Sequence, residues 1–267
     1  MTVVLYEHPL SAYAQKVKIA LLEKSVPFEL RLPSGIGSGA APDAGFASGN
    51  PRLEVPLLIV EDAEEELQIF DSTIMLEYLE DRFPDPSLLP TAPADRARAR
   101  MLEDVIDTHY EAITWGLAEI RHFGRAQGEL AAALEARAAA QLGSLHGWLG
   151  ERLGDRLWFN GDAFGWADLA VVPFVNGAVG FGHAPEPGSG FASWLERANA
   201  RDSVSEVRQA AAQAAAGLAG VADLVEQGRF KRQYRDHRLE WMVRSGGVQV
   251  VLDGLEKSNI RFTGRWD

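Results

Sequence analysis

Pro84, Pro86 and Pro90 put three prolines within seven residues. This cluster constrains the chain more than any other feature. Proline fixes φ and donates no backbone hydrogen bond, so neither a helix interior nor a central strand runs through it. The sequence on its two sides differs in kind. We read residues 84–93 as a linker between a mixed domain at 1–83 and an all-helical domain at 94–228, with 229–267 as a C-terminal extension.

In the first part, Thr2–Tyr6 is short, β-branched and apolar, as a buried strand is. From Ser11 the period changes. Ala14, Val17, Ala20 and Leu21 share one helical face, and Lys16, Lys18 and Glu23 fall elsewhere. Pro27–Leu32 reads as a second strand, Val55–Val60 as a third and Leu67–Phe70 as a fourth. Between the second and third, residues 33–49 hold five glycines and two prolines and read as a loop with room for one short helix. Ser72 opens a helix with Ile74, Met75, Tyr78 and Leu79 on its apolar face. The order β-α-β-loop-β-β-α suits an α/β domain with a mixed four-stranded sheet. Beyond the prolines, Asp95–Leu117, Leu130–Leu153, Ala167–Val175, Phe191–Ala200 and Val204–Gln227 all have helix-forming composition. In the extension, Phe230–Arg244 is basic and aromatic, Gly246-Gly247 marks a turn, and Val248–Leu255 suits either a helix or a strand.

Several function classes are disfavoured at once. With no cysteine among 267 residues, the chain has no disulfide, thiolate metal site or cysteine nucleophile, and such a composition fits a reducing, cytoplasmic compartment. The formal net charge of −12 repels nucleic acid and anionic membranes. The N-terminus lacks the basic and apolar stretches of a signal peptide, and no apolar run is long enough to span a bilayer. Residues 33–49 lack the Gly-Lys-Ser/Thr ending of a phosphate loop. His109 and His122 do not have a metal-ligand spacing, so no metal is expected.

Three stretches resemble the cytosolic glutathione S-transferase superfamily. Ser11-Ala12-Tyr13-Ala14-Gln15-Lys16 is similar to the active-site turn of its serine-type members, of the omega- and theta-like bacterial kind, although Ala12 stands where proline is usual. Asn50-Pro51-Arg52-Leu53-Glu54-Val55-Pro56 resembles the turn whose Val-Pro peptide is cis. Asp71-Ser72 before a helix resembles the acidic-serine pair at the γ-glutamyl end of glutathione. In the second half, Gly161–Leu169 is similar to a buried capping segment in which Asp168 supports the fold, with Gly165 where Ser or Thr is usual.

The resemblance implies a thioredoxin-like N-terminal domain followed by an all-α helical bundle, glutathione as co-substrate, and a homodimer. Ser11 takes the catalytic position, where a hydroxyl at a helix N-terminus favours the thiolate of glutathione; its other reading is a plain N-cap. Tyr13, Arg52, Val55, Pro56, Asp71 and Ser72 become the glutathione-binding residues, with the backbone of Val55 pairing with the cysteinyl unit. No cation for the glycyl carboxylate stands out: residues 33–49 have no Lys or Arg, position 54 is acidic where Lys is frequent, and Arg52 or Arg31 would have to substitute.

A small electrophile, hydrophobic or aromatic, would meet the thiolate between the domains. Tyr6, His8, Leu10 and Tyr13 from the first domain and His109, Tyr110 and Trp115 from the second are candidates for that pocket. Tyr110 and Trp115 suit the core equally well. The implied activity is thioether formation, with substitution, dehalogenation or ether cleavage as variants and detoxification as the usual role. A non-catalytic binding or protein-interaction module is the alternative. The run Lys231, Arg232, Arg235, His237, Arg238 and Arg244 reads as a salt-bridged helix face, with anion binding as its other reading, and Phe230, Tyr234, Trp241, Phe262 and Trp266 are candidates to fold over the site.

Overall fold

The computed structural model of the chain describes residues 1–35, 42–63 and 65–262. Part of the glycine-rich loop and Trp266 fall outside the described residues.

A four-stranded sheet organises the first part, in the order β2-β1-β3-β4. Strand β1 (Thr2–Tyr6) pairs in parallel with β2 (Glu29–Arg31) and antiparallel with β3 (Leu57–Glu61), which pairs antiparallel with β4 (Glu66–Phe70). Strand side chains alternate between faces. Val3, Leu5, Leu58 and Val60 therefore join the main core, where helices α1 (Ala12–Glu23) and α3 (Ser72–Arg82) contribute Val17, Leu21, Met75 and Leu79. Val4, Tyr6, Leu57 and Ile59 enter a smaller cluster sealed by Phe46 from α2 (Ala44–Gly49). With both faces covered, β1 and β3 read as continuous apolar runs.

The proline-rich segment is pinned rather than free. The buried Glu80 carboxylate accepts the backbone N–H groups of Leu88 and Leu89 at 3.1 and 3.3 Å and the Ser87 hydroxyl. Lys24 Nζ stands 2.8 Å from Glu80 and donates to the carbonyls of Phe83 and Pro86 at 2.7 and 2.8 Å.

The helical part is more broken than its composition suggests. In place of one helix over Asp95–Leu117, α4 (Pro93–Val105) passes through a π-helical turn, Ile106–Tyr110, into α5 (Glu111–Arg121). Next come α6 (Gly128–Leu153), α7 (Trp166–Gly180) and α8 (Gly190–Asn199). The expected helix Val204–Gln227 is two, α9 (Asp202–Ala216) and α10 (Val221–Glu226), parted at Gly217 and Gly220, where Gly220 has φ 81°. Helix α7 is almost wholly buried. Asp168 closes its N-terminus by accepting the backbone N–H groups of Phe159, Asn160 and Gly165 at 2.8, 3.2 and 3.1 Å and Trp194 Nε1 at 2.8 Å. Glycine at 165 has a physical reason: a Cβ there would stand 2.4 Å from the Leu88 carbonyl oxygen and 2.1 Å from Asn160 Nδ2. No Ser or Thr fits.

The extension carries a two-stranded sheet of its own. Strands β5 (Arg232–Tyr234) and β6 (Ile260–Phe262) pair in parallel around α11 (Asp236–Arg244) and α12 (Val248–Glu256). Its basic run is salt-bridged, but mostly across to other elements. Arg238 Nη2 meets Glu111 Oε1 at 2.6 Å, Arg232 meets the buried Glu119, and only Arg244, 2.8 Å from Glu240, pairs within its own helix. The extension's aromatics anchor it. Phe230 stacks on Phe123, Tyr234 meets the Trp115 ring edge-on at 4.7 Å, and Trp241 donates to Gln141 Oε1 at 2.7 Å. Phe262 is exposed. Among the described residues no helix is long and apolar enough to cross a membrane.

Candidate active site

A cavity of about 290 Å³ opens where the first domain, the α4–α5 junction and the extension meet. Its floor is the turn ahead of β3. The Val55-Pro56 peptide is cis, and the turn is braced by the Asn50 side chain, which donates to the Glu54 carbonyl and accepts the Arg52 N–H at 3.0 Å. Among the described residues, neither the N–H nor the C=O of Val55 has a hydrogen-bond partner. Unpaired backbone groups beside a cavity are ready-made sites for an extended peptide-like ligand.

One end of the cavity is the start of α3. Asp71 holds φ 77°, a left-handed conformation that costs a non-glycine residue about 1–3 kcal/mol. It is held there by its own side chain, which accepts the Thr73 N–H at 3.1 Å and pairs with Arg52 Nη1 at 3.1 Å. Arg52 in turn covers the Phe70 ring at 5.3 Å. Ser72 is buried beside them at the helix N-terminus, where free N–H groups and the helix dipole favour a carboxylate. Asp71 and Arg52 add one charge of each sign, so this end suits an α-amino acid head group.

Tyr13 forms part of the opposite wall. Its hydroxyl donates to the Asp107 carbonyl at 2.5 Å, and burial, with the charges of Glu111 and Asp107, pushes its pKa well above the usual tyrosine value. Ser11 caps α1. Its Oγ accepts the Ala14 N–H at 3.3 Å and its N–H donates to the His8 carbonyl at 2.8 Å. It is half-buried and lies outside the wall of this cavity, two residues before Tyr13.

None of the other candidates for the second-substrate pocket lines the cavity. Tyr6 packs on Phe46 across the sheet, with ring centroids 5.6 Å apart. Tyr110 is fully buried and bonds His146 Nε2 at 2.8 Å, and Trp115 lies under Tyr234. His8 and His109 are exposed, and Leu10 is half-buried in the turn before α1. For His109, Tyr110 and Trp115, side-chain direction on the helix decides the placement, and residue type does not reveal it.

Instead the wall is charged, and the ion-pair network behind it escaped the sequence reading. Lys16, expected on a polar face, is fully buried. Its Nζ stands 2.5 Å from both Glu103 Oε1 and Asp107 Oδ2. Glu103 also accepts Thr73 Oγ1 at 2.8 Å and Trp166 Nε1 at 2.6 Å, so α1, α3, α4 and α7 meet at one carboxylate. Burial disfavours the Lys16 ammonium, but Asp107 and Glu103 outweigh it and hold its pKa above the ordinary value. Burial pushes the Asp107 carboxyl up to about 6 against the pull of Lys16. The one local signal was a lysine beside an apolar helical stripe; its acidic partners lie 87 and 91 residues on. From the extension, Arg235 and His237 complete the wall, with His237 Nε2 2.9 Å from Glu111 Oε2. Among the described residues no group of three or more His, Cys, Asp or Glu is placed to hold a metal ion.

Residues 5–87 match the family model of the glutathione S-transferase N-terminal domain. By that match the first part of the chain is a glutathione S-transferase-like domain. Glutathione S-transferase GstB of Escherichia coli is 28% identical over 201 residues, which span 74% of this chain and 93% of GstB. Rice GST1, solved in complex with glutathione, superposes with a TM-score of 0.64 at 26% identity, covering 81% of this chain and 96% of that one. FzlA from C. crescentus superposes with a TM-score of 0.69 at 24% identity over 78% of this chain and 92% of its own, a likeness of fold alone. The superfamily's mixed sheet and predominantly helical second half are those of this chain.

Proposed function

We propose that the protein is a serine-type glutathione transferase that binds glutathione in this cavity and delivers its thiolate to a small electrophile. The observation that carries the reading is the unpaired Val55 backbone, placed between a head-group site at Asp71 and Ser72 and a charged far wall. The N–H and C=O of Val55 would pair with the cysteinyl unit, and Pro56 holds that peptide in place. Ser72 and Arg52 would take the γ-glutamyl carboxylate, and Asp71 its ammonium.

Ser11 caps the helix that brings Tyr13 to the cavity and would meet the thiol at the cavity's edge; capping and catalysis do not compete there. Its Oγ accepts from Ala14 and keeps its own proton to donate. A hydroxyl polarised in this way at a helix N-terminus favours thiolate over thiol, whose free pKa is about 8.5. The thiolate then attacks the electrophilic carbon, a C–S bond forms, and the leaving group departs with its electron pair or the activated double bond takes up a proton. A hydroxyl cannot form the mixed disulfide that a cysteine would, so conjugation or substitution is favoured over thiol exchange. The charged wall favours an electrophile with polar substituents over the hydrophobic or aromatic one expected from sequence. Work in the cytoplasm as a homodimer, in detoxification, follows family habit.

The deciding experiment is a pH titration of the thiolate absorbance of bound glutathione. The wild type should lower the thiol pKa, and Ser11→Ala should restore about one unit or more, each unit being about 1.4 kcal/mol. Tyr13→Phe should change nothing, because that hydroxyl already points at the Asp107 carbonyl. No glutathione binding at millimolar concentration would remove the transferase reading and leave a protein-interaction module.

A further inference from the structure

Glutathione has two carboxylates, and the Asp71 end of the cavity answers only one. Resting on the transferase reading, the other carboxylate must lie beyond Val55, and the residue there is Glu54, whose side chain is 13% exposed. A like charge at that point repels the ligand. Neither cation suggested by the sequence relieves it. Arg52 is committed to Asp71 at the opposite end. Arg31 pairs with Glu29 at the surface and lies over Tyr6, away from the cavity.

The extension does reach this point. Gln233 Nε2 donates to the Glu54 carboxylate, and Arg261 Nη2 donates to the Leu53 carbonyl at 3.3 Å and to Gln233 Oε1 at 2.9 Å. These contacts strap β5 and β6 onto the two residues before the Val55-Pro56 peptide. Arg235 follows β5 directly and lines the cavity. Its guanidinium lies over the Tyr13 ring at 5.3 Å, and the closest approach of the pair to Glu54 is a loose 3.8 Å. Among the described residues it donates no hydrogen bond. The other arginines of the wall are held more tightly: Arg100 is 2.5 Å from Glu77 and Arg52 is 3.1 Å from Asp71.

We propose that Arg235 of the C-terminal extension binds the carboxylate of the thiol co-substrate at the end remote from Asp71, so that the extension is part of the cofactor site. Guanidinium offers a planar fork of donors that matches a carboxylate, and the Tyr13 face presets its plane. Glu54 keeps Arg235 in position between ligands and competes with the ligand carboxylate for it.

Calorimetric titration of the full chain with glutathione and with γ-glutamylcysteine, which lacks the glycyl carboxylate, tests this. The wild type should prefer glutathione by roughly ten-fold or more, the scale of one charge-assisted pair. Arg235→Ala should erase that preference and leave γ-glutamylcysteine affinity unchanged, which also shows that the variant is folded. Glu54→Gln should tighten glutathione and not γ-glutamylcysteine. Retention of the preference in Arg235→Ala, or equal loss for both thiols, would overturn the inference while leaving the transferase reading intact. A wild type that binds neither thiol would overturn both.

Discussion

Replacing Arg238 by Met tests how the extension is held over the cavity. Arg238 Nη2 and Nε stand 2.6 and 3.1 Å from Glu111 Oε1, and the two side chains are 13% and 9% exposed. Burial alone would raise the Glu111 pKa, but Arg238 and His237 reverse it and bring it from 4.5 to about 2. That gap, at about 1.4 kcal/mol per unit, makes the ionised Glu111 in this setting worth about 3 kcal/mol to folding. Methionine fills similar space and leaves the carboxylate buried with only His237, a change that costs about 3–5 kcal/mol by the separate measure of broken buried pairs.

The pH dependence has a definite sign. In the wild type the Glu111 pKa is depressed, so its contribution is complete above pH 4.5 and is lost as pH falls toward 2. In the variant burial dominates and the pKa rises, so the same group destabilises the fold as pH climbs through the ordinary carboxylate range. The stability difference between the two proteins is therefore largest at neutral pH and shrinks on acidification. Shifts common to both, such as that of Asp107, cancel in the difference. Urea unfolding followed by tryptophan fluorescence at pH 7, 5 and 3.5 measures it, with Glu111→Gln added to Arg238→Met as a companion. Removing the stranded charge should recover at least half the loss. A deficit under about 1 kcal/mol at pH 7, or one flat from pH 7 to 3.5, would refute the reasoning.

Two further substitutions probe neighbouring contacts. Gly116→Ala places a Cβ 2.1 Å from Trp241 Cζ3, and the ring is tied by its bond to Gln141, so we expect about 1–3 kcal/mol of destabilisation with a red-shifted tryptophan emission; wild-type stability and emission would show that α11 moves freely on α5. Asp168→Asn deprives about two of its four N–H donors of an acceptor and should cost about 2–5 kcal/mol, read as a lowered melting temperature with glutathione affinity retained. An unchanged melting temperature would mean that Asp168 does not hold the start of α7.

The parts of this fold that were legible in sequence are the local ones. A strand buried on both faces, like Leu57–Glu61, announces itself as an apolar run, and the Val55-Pro56 turn and the Asp71-Ser72 cap carry their chemistry in adjacent residues. What was not legible depends on partners far along the chain. Lys16 looks like a surface lysine until Glu103 and Asp107 are placed beside it. The basic run of the extension looks like a self-paired helix face, because nothing local says that Glu111 and Glu119 await it. Tyr110 and Trp115 are the right types for an aromatic pocket but point into the core. The π-helical turn at Ile106–Tyr110 offsets the helical phase in the segment that carries Asp107 to the cavity, and no propensity marks it.

The acidic residue at position 54 and the presence of an extension become one feature once the contacts are known. Three carboxylates, Glu54, Glu111 and Glu119, have side chains 13%, 9% and 0% exposed, and each takes its nearest cation from residues 232–238. A buried carboxylate without such a partner costs several kcal/mol. The domain beneath therefore could not keep these acids without the segment above, and the segment would have no reason to be so basic without the acids. It follows that the extension is not a removable appendage: its charges balance those of the α5 helix and of the turn that presents Val55, and the cavity takes its shape from that balance.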